Sequence, residues 1–127
     1  MRQDPVGLLV RYLRTVPEFR EHVSGDLVGR EPGQVTIYFE HSGGFRRVRD
    51  RADRSDIEYA VFHPDRGEAA ALAFALREHL LERAPGAVVA GVQFLDVAEV
   101  SAPRYEPDSV SREHVYSGEI AAFYIQI

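Results

Sequence analysis

The spacing of apolar residues along the chain changes several times, and each change marks an element. Asp4-Pro5 suits a helix start, with the carboxylate as N-cap and proline at the first helical position. Val6, Leu9, Val10, Leu13 and Val16 then recur at helical spacing, with Arg11 and Arg14 between them. Pro17 breaks that helix and opens a second short helical piece with Phe19 and Val23 on its apolar side, ending at Ser24-Gly25-Asp26. After the turn signal Glu31-Pro32-Gly33, residues 34–41 alternate: Val35, Ile37 and Phe39 on one face, Thr36, Tyr38 and Glu40 on the other. That period of two predicts a half-buried strand.

Ser42-Gly43-Gly44 interrupts the alternation, and residues 45–56, FRRVRDRADRSD, read as a charged connector. Ile57, Tyr59 and Val61 share one face of a second strand, which pairs most simply with the first as a meander. His63-Pro64-Asp65 stops that strand and starts a helix to about Ala84, with Ala69, Leu72, Ala73, Leu76 and Leu80 as its buried stripe. Pro85-Gly86 ends it. A long strand is predicted over 88–100, with a bulge or bend where its apolar positions change register at Phe94-Leu95. A polar connector follows over 101–118, and a last strand over 119–127. The expected fold is one α+β domain spanning residues 1–127. It has a four-stranded, mainly antiparallel sheet with two helices packed on one face, in the order helix-strand-strand-helix-strand-strand.

Both faces of the last strand are apolar: Ile120, Ala122 and Tyr124 against Ala121, Phe123 and Ile125. Either that strand is central in its own domain, or a partner chain covers its second face.

Composition narrows the chemistry. With 127 residues the chain can bury about two-thirds of its unfolded surface, enough for one core. It has no cysteine, which excludes disulfides, thiolate metal sites and cysteine nucleophiles. The net charge of −5 speaks against broad nucleic-acid or membrane-surface binding. All 15 basic residues are arginine, a bias that a GC-rich coding sequence also produces, so arginine identity alone marks no site.

Candidate catalytic patterns are weak. No two of His22, His41, His63, His79 and His114 share the i, i+4 spacing of helical metal ligands. His79 reads as a solvated helix histidine. Asp50, Asp53 and Asp56 each lie beside an arginine, so charge compensation explains them better than a calcium loop. Gly43-Gly44 lacks the lysine of a phosphate loop, and Glu78 and Glu82 read as surface acids. The reading therefore expects no catalytic residues, no cofactor and no metal.

The arginine-rich stretch, Arg46, Arg47, Arg49, Arg51 and Arg54, has one aromatic, Phe45, and three interleaved acids. That makes a single-strand stacking platform a poor fit and leaves a solvated loop or a protein contact.

A resemblance adds to these readings. GVQFLDV after a Pro-Gly helix stop, then PRYEPD, then Arg112-Glu113-His114-Val115-Tyr116, then the closing EIAAFYIQI resemble the C-terminal half of tail terminator proteins of long-tailed, siphovirus-type bacteriophages, in the style of actinobacterial phages. DPVGLLVRYLRTVPEF is similar to that family's opening helix. The arginine-rich connector and the His63-Pro64 step depart from the family pattern.

The resemblance implies a structural virion protein and no enzyme. Such a protein forms a ring, commonly a hexamer, that caps the head-proximal end of the tail tube, stops its polymerisation and offers the head-joining surface. Its partners would be copies of itself, the tail tube protein and the head–tail connector. Genomic DNA would pass through without sequence-specific binding, and no membrane is involved. The protein would be assembled in the host cytoplasm and reside in the virion tail.

A ring contact is head-to-tail and needs two unlike patches per subunit. The expected interface residues are Arg46, Arg47, Arg49 and Arg51 in the first connector and Arg104, Tyr105, Asp108 and Arg112 in the second. Arg46, Arg47 and Arg49 are expected to pair with acids of a neighbouring subunit or the tube protein. Shortening the second connector between Glu106 and Glu113 is expected to impair assembly and spare folding. A related neck, head-completion or tail-completion protein is the nearest alternative. A small nucleic-acid-binding regulator or a small enzyme are the readings from other classes.

Overall fold

A computed structural model describes residues 4–48 and 52–127. Two helices and six strands follow in the order α1 (Pro5–Leu13), β1 (Val23–Ser24), β2 (Thr36–Val48), β3 (Ala52–His63), α2 (Arg66–Glu82), β4 (Val88–Val89), β5 (Val92–Tyr105) and β6 (His114–Gln126). Both helices start on aspartate caps. Asp4 accepts from the Val6 N–H at 3.0 Å, and Asp65 accepts from the Glu68 N–H at 2.8 Å, which satisfies donors that the first helical turn leaves open.

The sheet corrects the expected one. It has six strands in the order β1-β2-β3-β6-β5-β4, is mixed rather than antiparallel, and curls into a half-barrel. Its four long strands pair antiparallel, β2 with β3, β3 with β6 and β6 with β5. The two extra strands are too short to carry a periodicity. Val23 and Ser24 extend beside Ile37 and Tyr38 in parallel, in place of the short helical piece expected after Pro17. The predicted strand over 88–100 holds from Val92 onward as β5, but its first residues form a tight hairpin, because Ala90 and Gly91 both take positive φ, 50° and 77°. Such a two-residue turn matches the twist of its flanking strands. The expected irregularity at Leu95 is present as a register shift between Phe94 and Asp96.

The two connectors also prove to be mostly strand. β2 and β3 pair as far as Val48 and Ala52, and β3 pairs with β6 along its whole length. Their outer halves are polar and charged, so no apolar alternation reports them, and backbone pairing alone fixes their conformation. The bend that aligns them lies at Gly43-Gly44. Gly44 has φ +129°, and a Cβ there would lie 2.1 Å from the Arg54 carbonyl oxygen, a position that only glycine fits.

One core holds the layers together. Leu9 and Leu13 of α1, Leu76 and Leu80 of α2, and Ile37, Phe39, Ile57, Tyr59, Val61 and Ile120 of the strands are all fully or almost fully buried in one cluster. The helices meet on this face: the Tyr12 hydroxyl lies 2.7 Å from His79 Nε2, and the Phe19 ring packs edge-on against the same imidazole. Arg77 of α2 grips Glu99 of β5 through two bonds, 2.5 and 2.9 Å. The apolar faces of the last strand resolve as the central-strand case, since β6 lies between β3 and β5.

Candidate functional site

Helices cover one face of the sheet and leave the other open. Strand alternation places Tyr38 and Glu40 of β2, Glu58 and Ala60 of β3, and Ser117 and Glu119 of β6 on that open face. They line a groove of about 540 Å³, with Leu27 and residues 106–109 supplying its rim. This is the size of a site that takes a small ligand or several side chains.

The groove has an unusual floor. Glu40 is the direct cross-strand partner of Glu58, and Glu58 of Glu119, so three glutamates stand in a row across three adjacent strands. Like charges directly opposite each other in a sheet are destabilising. Ser42 donates to Glu119 at 2.9 Å. Among the described residues Arg104 is the one cation lining the groove; it pairs with Glu106, and the Glu58 charge also acts on it. Burial, with the Glu40 and Asp26 charges adding to it, pushes the Tyr38 phenol above its ordinary pKa. The groove is therefore acidic as well as open.

A buried ion pair fixes the rim. Glu113 accepts from Arg30 Nη1 at 2.8 Å, from Nη2 at 2.5 Å and from the Gly33 N–H at 3.0 Å. Arg30 also donates to the Thr36 hydroxyl and the Gln34 carbonyl, both at 2.7 Å, and its guanidinium lies 4.3 Å above the Phe62 ring. The arginine hydrogen bonds, aided by the Gly33 N–H, hold the Glu113 pKa down at about 2 against the opposing effect of burial. Two loops distant in sequence, 25–35 and 106–113, are thus joined over the end of the sheet.

Strand alternation puts Arg54 and Asp56 of β3 on the same face as Glu58. Residues 45–54 carry five arginines and two aspartates. Arg54 pairs with Asp56 at 2.9 Å and lies over the Phe45 and Phe123 rings at 5.5 and 5.8 Å. Phe45 is exposed. From Glu58 to Ala52 along β3 is about 20 Å at the usual rise per residue.

The expected interface residues fall into different places. Arg46 and Arg47 belong to the outer arm of β2, with side chains outside the description, and Arg49 and Arg51 lie outside the described residues. Arg104 and Asp108 line the groove. Asp108 also shapes its own turn: it accepts from the Ser111 hydroxyl at 2.5 Å and N–H at 2.9 Å, and these bonds lower its pKa. Tyr105 faces the helix side instead, where Arg66 stacks 3.9 Å above its ring and His114 Nδ1 lies 2.9 Å from its hydroxyl. Arg112 is an exposed turn residue at φ 59°.

The sequence reading missed the glutamate row. Each member sits at a polar position of a strand, but only the register sets the three side by side. Among the described residues no group of three or more His, Asp and Glu is arranged to hold a metal ion, and no helix is long and apolar enough to cross a membrane. The chain matches no family model and no curated protein.

Proposed function

We propose that this chain is a structural assembly protein of the tail-terminator kind. In this reading it forms a ring, commonly of six copies, at the head-proximal end of a phage tail tube, where it stops tube growth and presents a surface to the head connector. The resemblance of residues 88–127 and of the opening helix suggests the family. The observation that carries the reading is the uncovered sheet face, with its acidic groove. A closed ring needs two unlike, mutually complementary patches on every subunit, and a sheet with helices on one side only leaves room for them.

Native mass spectrometry and negative-stain microscopy of the purified protein, with microscopy of virions carrying a labelled chain, test it. Rings in solution and label at the head-proximal tail end are expected. A chain that stays monomeric at every concentration and is missing from tails refutes the proposal.

A further inference from the structure

We infer that His63, His114 and Arg66, gathered around the Tyr105 ring where α2 begins, form a binding site for a small tetrahedral oxyanion of the phosphate class. The site lies on the helix side of the sheet, apart from the groove, and stands independently of the ring reading.

Strand register assembles it. His63, the last residue of β3, is the direct cross-strand partner of His114, the first of β6. Their side chains therefore share one face, with Cβ atoms about 5 Å apart. Tyr105 stands opposite Tyr116, with the two rings 5.4 Å apart. Tyr105 joins the remaining parts: its hydroxyl lies 2.9 Å from His114 Nδ1, and the Arg66 guanidinium lies 3.9 Å from the centre of its ring. Stacking on the ring holds the guanidinium without consuming its N–H donors.

The chemistry offered is that of donors. The Asp65 N–H donates to His63 Nδ1 at 2.9 Å, so in the neutral ring the proton sits on Nε2. His63 thus presents an N–H rather than a metal-ligating lone pair, and among the described residues no group of three or more His, Asp and Glu could hold a metal ion. With its Nδ1 accepting from Tyr105, His114 presents a second Nε2–H. Arg66 is exposed and adds a planar fork of donors that matches phosphate. Among the described residues neither Nε2 atom has a hydrogen-bond partner and Arg66 has no carboxylate partner. Donors on three side chains suit a tetrahedral ion, whose oxygens point in several directions, better than a planar carboxylate.

The neighbouring acids are engaged elsewhere. The Asp65 carboxylate caps α2 through the Glu68 N–H, Glu106 pairs with Arg104, and Glu113 pairs with Arg30. Glu68 is exposed in the first turn of α2. A bound oxyanion would supply the negative charge that these acids do not give Arg66.

Sulfate is the first probe, because its charge stays constant across the range in which histidine titrates. In NMR spectra of the histidine rings, added sulfate should shift the His63 and His114 signals saturably and leave those of His22, His41 and His79 in place. The dissociation constant should fall at least about fivefold from pH 8 to pH 5.5, as the two imidazoles gain charge. Inorganic phosphate and a phosphate monoester, glycerol 3-phosphate, should each displace sulfate, and the tighter of the two separates a free ion from an esterified one; acetate should not displace it. Arg66→Gln should keep the parent's thermal midpoint and weaken sulfate binding at least about fivefold. His63→Gln should weaken it as well, read from the His114 signal. Shifts that never saturate, that appear equally at His22 and His41, or that survive Arg66→Gln unchanged overturn the site, as does displacement by acetate as readily as by phosphate.

Discussion

Replacing Glu113 with glutamine removes one charge from the most enclosed ion pair among the described residues and keeps its shape. The carboxylate side chain is 6% exposed and that of Arg30 11%, so solvent screens the pair little. Holding the Glu113 pKa at about 2, against about 4.3 for a free glutamate, corresponds to roughly 3 kcal/mol of stability at neutral pH. Independent reasoning gives a similar size: breaking a buried pair costs about 3–5 kcal/mol because it leaves the partner charge unmatched. Glu113→Gln should therefore lower the thermal midpoint by about 10 °C at pH 7.

The pH dependence provides the sharper test. A carboxylate with a depressed native pKa stabilises fully above its unfolded pKa, and that contribution fades as pH falls toward the native value. The gap between parent and variant in urea unfolding should be constant above pH 5, shrink from pH 5 downward, and close near pH 2. A gap under about 0.5 kcal/mol at pH 7, or one that does not change with acidification, would refute the reasoning.

Other outcomes follow from single contacts. A Cβ at Gly118 would lie 2.4 Å from the Tyr59 hydroxyl oxygen and 2.9 Å from the Ser101 carbonyl oxygen, so Gly118→Ala should cost about 1–3 kcal/mol in urea unfolding; a neutral result refutes that packing. His79 is held below its ordinary pKa mainly by burial against Tyr12 and Phe19. The neutral ring is the one the fold prefers, so stability should be fullest above about pH 6.5 and decline as pH falls below it. His79→Gln should remove that part of the acid sensitivity, and an unchanged stability–pH curve between 7 and 5 contradicts it. Deleting residues 107–113 should lower the thermal midpoint sharply, as measured by calorimetry, because it takes Glu113 out of the clamp.

Residues facing the core were legible, and residues facing away were not. The α1 stripe of Val6, Leu9, Val10 and Leu13, the stripe from Ala69 to Leu80, and Ile57-Tyr59-Val61 announce themselves because burial imposes a period on them. The bulge at Leu95 was readable for the same reason, as a break in that period. The outer arms of β2, β3, β5 and β6 escape because no regular apolar alternation runs along them. Arg46 stands opposite Asp53, and Ser101 opposite Glu119, partners that a polar connector would also contain. β4 escapes because alanine rarely adopts the positive φ of Ala90. His79 was misread as solvated although it follows buried Leu76 by three residues, a spacing that turns its ring toward α1. The candidate site was legible only at its arginine end. Its glutamates lie 18 and 61 residues apart along the chain, and only strand register makes them neighbours.

That register separates what holds the domain together from what it offers to others. The helix-covered face carries the apolar burial, and the Arg30–Glu113 pair ties two loops across the end of the open face. The middle of that face does the opposite: Glu40 against Glu58 and Glu58 against Glu119 each cost about 0.2–1 kcal/mol in an isolated subunit. A domain stable by about 5–15 kcal/mol tolerates such a penalty, and the Arg104 charge near Glu58 and the Ser42 bond to Glu119 offset part of it. Local terms that conflict with folding concentrate where a sequence answers to something besides folding. Replacing Glu40, Glu58 and Glu119 together by glutamine should then leave the thermal midpoint equal to the parent's or raise it, and a clear drop in calorimetry would show that the carboxylates serve the fold.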